Sequence, residues 1–203
     1  MAASTESETQ TSVSTTAIAI LVKTPGLSPV KTRLAASCNH SQASQLAEHF
    51  YRLAVQAIEN TLLELAQPVS CYWAVAERHG LDHKMWSVFD AIAAGNGCLG
   101  HCQHRIYRHL LERHQQVILL GADCPQLSSQ LLEQAILSLS SHNYCLGPAE
   151  DGGYYLFAGR KSIKQSSWTG VQYSQADTAK QLIAQLDSSP ALLPPLRDVD
   201  YAV

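Results

Sequence analysis

Three short clusters carry most of the residues able to do polar chemistry, and each follows a run that reads as a buried strand. The first is Lys23-Thr-Pro-Gly-Leu-Ser-Pro-Val-Lys-Thr-Arg33. Lys23, Lys31 and Arg33 are three of only 14 basic residues, gathered within eleven positions. Pro25, Gly26 and Pro29 hold an irregular loop, and its end delivers Lys31, Thr32 and Arg33 to the start of a helix. Backbone N–H groups at a helix N-terminus, with Lys and Arg beside them, suit a phosphate chain. A solvated basic helix start would look the same. The order G-x4-G-K-[ST] is absent, so this is not a Walker A loop.

The second cluster is Gly121-Ala122-Asp123-Cys124-Pro125. An Asp just past a hydrophobic strand suits Mg²⁺ or Mn²⁺, which prefer carboxylate oxygen and share it with substrate phosphates. An Asx-turn before the next helix accounts for it equally well. The third is Glu150-Asp151-Gly152-Gly153, two acids before two glycines. Asp151 is a second metal or catalytic carboxylate, Glu150 a weaker one, and the glycines allow close backbone approach to a ligand. Asp-Gly is also ordinary hairpin-turn chemistry, and both roles can hold together. A fourth group, Cys98, His101, Cys102 and His104, matches no common zinc spacing and reads as a local helix pattern. Neither G-x-S-x-G nor a cysteine-protease signature occurs, which argues against a Ser or Cys hydrolase.

The elements that must position these clusters can be read from periodicity. Ala17–Val22 and Gln116–Gly121 are unbroken apolar runs of the parallel-sheet kind, and Val69–Ala76, Tyr144–Gly147 and Tyr154–Ala158 add further strands. Helical patterns cover Lys31–Ala36, Ser41–Ala66, Leu99–Arg113, Ser128–Leu139 and Asp177–Leu186, with a weak one over Leu81–Val88. In the long second helix Leu46, Phe50, Leu53, Ala57 and Leu62 fall near helical spacing. Ser128 and Asp177 stand where helix caps belong. Strands alternating with helices predict one α/β domain with a mostly parallel sheet. In such sheets ligands bind outside the carboxyl ends of the strands, where all three clusters fall.

Composition bounds the function. The 203 residues suit one domain, expected over 17–203, and 46% hydrophobic content can fill its core. Charged residues are 15%, against about 25% in ordinary chains. A net charge of −3 argues against a dedicated nucleic-acid binder, but not against a small phosphorylated ligand. No apolar run reaches the ~18–20 residues of a membrane span. Residues 1–16, rich in Ser and Thr with Glu6 and Glu8, are expected to form a disordered leader. They lack the basic start and apolar stretch of a signal peptide. A cytoplasmic location is therefore expected, with Cys38, Cys71, Cys98, Cys102, Cys124 and Cys145 reduced.

In order along the chain, KTPGLSPVKTRLA, GADCPQLSSQLLEQA, LGPAEDGGYYL and LLPPLRDVD resemble the small bacterial GT-A-like proteins described as glycosyltransferases, some linked to arsenosugar biosynthesis. Relatives of that family include nucleotidyltransferases that load a nucleotide onto molybdopterin or phospholactate. The resemblance runs from about Ala17 to Asp200. It implies the nucleotide-diphospho-sugar transferase fold, a single Rossmann-like three-layer α/β/α sandwich. It also implies a metal-dependent glycosyltransferase that moves a sugar from a nucleotide-diphospho-sugar donor to a small-molecule acceptor. By the same resemblance Lys23, Gly26, Lys31 and Arg33 belong to the nucleotide-phosphate loop. Asp123 stands at the metal position, and Asp151, sharing the metal or holding the acceptor, is the other catalytic acid. Gly152, Gly153, Trp168 and Thr169 belong to the acceptor side, and the cofactor is Mg²⁺ or Mn²⁺. One departure stands out. Where the family shows Gly-x-Leu-Gly-x-Arg, Gly97-Cys98-Leu99-Gly100-His101-Cys102 places Cys102 at the Arg and Cys98 where an acid is frequent. A nucleotidyltransferase using NTP and a phosphorylated acceptor, or a nucleotide-binding domain that has lost turnover, are the alternatives.

Overall fold

The computed structural model describes residues 15–30 and 43–197. The expected leader up to residue 14, the helical start Lys31–Ala36 with Lys31 and Arg33, and Cys38 lie outside the described residues. Seven strands form one sheet: β1 (Thr16–Val22), β2 (Ser70–Val75), β3 (Asp90–Ala93), β4 (Gln116–Gly121), β5 (Tyr144–Pro148), β6 (Tyr154–Gly159) and β7 (Ala191–Leu192). Their spatial order is β3-β2-β1-β4-β6-β5-β7. Neighbours run parallel except β6, which is antiparallel to both β4 and β5. The helices are α1 (Ala43–Leu63), α2 (Leu99–Leu111), α3 (Ser129–Ser138), α4 (Gln165–Thr169) and α5 (Thr178–Ala184).

Strand periodicity splits the core into two layers. Ile18, Ile20 and Val22 of β1, with Trp73 and Val75 of β2 and Ile118 and Leu120 of β4, pack on one side against Tyr51, Val55, Ile58 and Leu62 of α1 and Leu132 and Ala135 of α3. The alternate residues Ala17, Ala19, Val117 and Leu119 pack on the other side against Ile106, Tyr107 and Leu110 of α2, Trp168 of α4 and Leu182 of α5. Both faces of the central strands are therefore covered, which is why they read as unbroken apolar runs. The result is the α/β/α sandwich with a mostly parallel sheet.

Three expectations change. Leu81–Val88 is not a helix; it holds a 3-10 turn, Lys84–Trp86, and another, Arg78–Gly80, just precedes it. They lead into β3, a strand of four residues too short to show a period. Second, Leu46, Phe50 and Leu53 face outward, 38%, 42% and 47% exposed. The buried stripe of α1 is instead Ala47, Tyr51, Ala54, Val55, Ile58 and Leu62. Helical spacing marks two stripes here, and packing selects the one carrying the tyrosine. Third, Asp177 occupies the cap position of α5 without a side-chain cap bond and accepts from Gln181 instead. Ser128 does cap α3, its hydroxyl accepting the Leu131 N–H at 3.3 Å.

Candidate active site

The carboxyl ends of β1, β2 and β4 open onto one cleft of about 850 Å³. Because β6 runs antiparallel to β4, its first residues, Tyr154 and Tyr155, lie at the same edge of the sheet. The β5–β6 connection is thus a hairpin, and it also carries Asp151 to the cleft. The lining includes Lys23, Asp123, Asp151 and Gly153, so the structure brings together residues from all three sequence clusters. Asp123 is half-buried, while Lys23 and Asp151 are exposed.

The loop after β1 is tied down by residues the sequence reading missed. Glu77, two residues beyond β2, is buried and accepts the Thr24 N–H at 2.8 Å. Burial pushes the Glu77 carboxyl up, but hydrogen bonds from Ser28, from the Thr24 N–H and hydroxyl, and from its own backbone outweigh it and hold the group below the usual range. Trp86 Nε1 donates to the Thr24 hydroxyl at 3.2 Å, locking the same loop to the 3-10 turns. Tyr51 of α1 accepts the Lys23 N–H at 2.8 Å. Burial raises the Tyr51 phenol strongly; the Lys23 N–H opposes this, and the charges of Asp123 and Glu77 add to it. The phenol therefore stays protonated beside Asp123. The same strand-end rule that marked Asp123 would have found Glu77, and a polar ring on the buried stripe of α1 marks Tyr51. Gly26 has φ +86°, which lets the loop turn back, but it is not among the cleft-lining residues.

The hairpin is fixed from both sides. Asp151 Oδ1 accepts the Gly153 N–H at 2.9 Å, closing a local turn. Gly152, at φ +90°, offers its carbonyl to the Ala179 N–H of α5 at 2.9 Å. A Cβ on Gly152 would stand 1.9 Å from the Ala176 carbonyl oxygen, so only glycine allows this approach. On the other side, the Glu150 N–H donates to the Leu196 carbonyl at 3.0 Å, and the Leu196 N–H to the Pro148 carbonyl at 3.1 Å. The Pro-rich tail thus serves as a clamp on the acidic turn.

Trp168 and Thr169 require a correction. The Trp168 indole is fully buried against Phe157 and Tyr107, with ring centroids 5.0 and 5.7 Å away. A side chain with no exposed surface cannot line an acceptor pocket. The Thr169 hydroxyl donates to its own helix at Gln165 O, and neither residue borders the cleft. Residues that do line the cleft on this side include Gln103, Tyr154, Tyr173, Ser174, Gln175 and Thr178. The Tyr154 hydroxyl donates to Gln103 Oε1 at 2.7 Å, and the Tyr173 hydroxyl to the Trp168 carbonyl at 3.0 Å. Burial pushes the Tyr173 phenol up to about 12. Ser174, with φ 61°, is the non-glycine residue held in the left-handed region among the described residues.

At the β3 end the glycine loop Ala94–Gly97 borders the cleft. Arg105 donates to the carbonyls of Ala94 and Asn96, and the Cys102 thiol to that of Gly95 at 3.3 Å. Cys102 lines the cleft. Among the described residues no three His, Cys, Asp or Glu side chains gather to hold a metal ion.

A family model matches residues 42–175, and its description is an uncharacterized protein conserved in bacteria, DUF2064. The chain belongs to the DUF2064 family. Among solved structures, this DUF2064 chain is similar to a protein from Desulfovibrio desulfuricans G20 provisionally named a nucleotide-diphospho-sugar transferase. The two share 27% identity over 93% of this chain and 84% of the other, with a TM-score of 0.75. More distant matches are a CMP:2-keto-3-deoxy-manno-octonic acid synthetase complexed with CTP (10% identity, 93% and 94% of the chains, TM-score 0.57) and a Mycobacterium tuberculosis H37Rv protein in complex with manganese (9%, 94% of both chains, TM-score 0.54). These two show the fold alone. It is the nucleotide-diphospho-sugar transferase fold. No curated protein matches by sequence.

Proposed function

We propose that the cleft is the donor site of a metal-dependent glycosyltransferase acting on a nucleotide-diphospho-sugar and a small-molecule acceptor. The supporting observation is that Lys23, Asp123 and Asp151, from three separate loops, border one cleft at the carboxyl edge of the sheet. Likeness to the D. desulfuricans protein points the same way. The cleft also lies within the ~300–1,000 Å³ usual for small-molecule sites.

Asp123 and Asp151 offer hard oxygen donors, the chemistry that Mg²⁺ and Mn²⁺ select. Two carboxylates are enough where substrate phosphates complete the coordination, as is usual for Mg²⁺. When bound, the ion supplies charge neutralisation for the leaving diphosphate. Lys23 attracts the phosphates, and Lys31 and Arg33, a few residues further along the chain, stabilise charge growing on them as the bond breaks. Asp151 shares the metal or orients an acceptor hydroxyl. Gly152 and Gly153 hold Asp151 in place, and the Tyr154–Tyr173 wall receives the acceptor.

Calorimetry of UDP- and GDP-sugars with and without Mn²⁺ tests this. Metal-linked binding of one donor, lost in Asp123→Ala, is the expected result; no metal-linked binding across the panel overturns it. Pyrophosphate release from NTPs with phosphorylated acceptors would assign nucleotidyl transfer instead. Donor binding without turnover of any acceptor would assign a binding domain.

A further inference from the structure

The Cys98–His101 pair at the start of α2 takes no part in the proposed transfer, yet it is built as a nucleophile with a base. Cys98 Sγ lies 3.0 Å from His101 Nδ1. Cys98 occupies the N-cap position of α2 but makes no side-chain cap bond, so its sulfur is not spent on the helix backbone. The glycine before Cys98 leaves room for the imidazole. Gly97 has φ +118°, and a Cβ there would stand 3.0 Å from His101 Cβ and 3.1 Å from Cγ. A side chain at 97 would displace the ring from the thiol.

The other described cysteines are unlike it. Cys124 and Cys145 are buried, and Cys71 and Cys102 are partly buried. Burial pushes the Cys71 thiol up to about 11 and raises Cys102, whose S–H is also engaged by Gly95 O. Cys98 alone among them is exposed. It stands at the border of the cleft: its chain neighbours Gly97 and Leu99, and Cys102 one turn on, line it.

We infer that Cys98 is a thiol-modification site that exchanges with small disulfides, with His101 as its base. The Cys98 proton passes to His101 Nδ1 as sulfur attacks one atom of the disulfide R–S–S–R. A Cys98–S–S–R bond forms and the original S–S bond breaks. The leaving thiolate takes the proton back from the imidazolium and departs as R–SH. Cys98 is oxidised to the disulfide level, and the departing half is reduced. The thiolate is the attacking species in such exchange, so a base at hydrogen-bond distance raises the rate.

The test uses the full chain with Cys38→Ser, which removes the thiol outside the described residues. A dithiodipyridine probe is added under native conditions and thiopyridone release is followed by absorbance. The expected result is a single fast-reacting thiol, mapped to Cys98 by peptide mass spectrometry and absent in Cys98→Ser. His101→Gln should slow the fast phase at least about tenfold, the low side of what a positioned base contributes, with an unchanged melting temperature. A fast phase that maps elsewhere, survives Cys98→Ser, or keeps its rate in a folded His101→Gln overturns the inference. No donor or metal enters the assay, so its outcome is separate from that of the proposed transferase activity.

Discussion

At the residue scale, the cleft depends on groups that do not line it. Glu77 does not line the cleft, but it fixes Thr24 and so the loop that begins at Lys23. Glu77→Gln should cost about 1.5–3 kcal/mol, the range for hydrogen bonds to a charged group, read as a fall in the urea midpoint. The pH dependence follows from the same bonds. The folded Glu77 carboxyl binds its proton more weakly than the unfolded one. Its stabilisation is therefore complete above the unfolded carboxylate value and drains away as pH falls through the folded value. Melting temperatures of wild type and Glu77→Gln should converge on acidification and separate towards neutrality; a gap independent of pH would show that the charge is not what matters. Asp123→Ala, by contrast, should remove metal-linked donor binding. Asp123 was legible in the sequence because an acid after a strand has a stated meaning. Glu77 obeys the same rule, standing just past the strand read at Val69–Ala76, but its partners Thr24 and Ser28 are about fifty residues away in the chain and only the fold brings them together.

At the element scale, two close approaches set the shape of the cleft. The first turn of α2 meets α4, and a Cβ on Gly100 would lie 2.4 Å from the Trp168 carbonyl oxygen. Gly100→Ala should push α2 outward, disturbing Cys102 and Gln103 at the cleft wall. Overpacking of this kind costs roughly 1–3 kcal/mol, measurable by denaturant titration, and donor affinity should fall with it. The hairpin–α5 latch is the second. Gly152→Ala meets both a positive φ and the Ala176 carbonyl, so it should loosen Asp151. A loss of donor or acceptor binding larger than the stability change is expected, measured by calorimetry beside thermal melts. The glycines were visible as punctuation in the sequence; which backbone each one admits was not.

At the scale of the whole molecule, a ligand that binds only the folded chain must stabilise it. Donor and Mn²⁺ together at about 100 times their dissociation constant should add about 2.7 kcal/mol. For a chain of this size that is roughly 5–11 °C in melting temperature. Thermal scans of wild type against Asp123→Ala check it: the shift should need both donor and metal, and should vanish in the variant.

The sequence by itself determined the α/β class, the strands at 17–22 and 116–121, and the placing of Lys23, Asp123 and Asp151 at strand ends. Those features are local: an apolar run, its period and the polar residue that ends it are all contiguous in the chain. Tertiary structure decided the rest. It put β6 antiparallel between β4 and β5, which carries the Asp151 turn to the edge where Asp123 lies. It buried Trp168 in the core and left Tyr173 and Ser174 to form the wall. It chose Tyr51 over Phe50 for the inner face of α1. These outcomes depend on contacts between residues far apart in sequence, where side chains of similar hydrophobicity compete for the same volume and only packing selects between them.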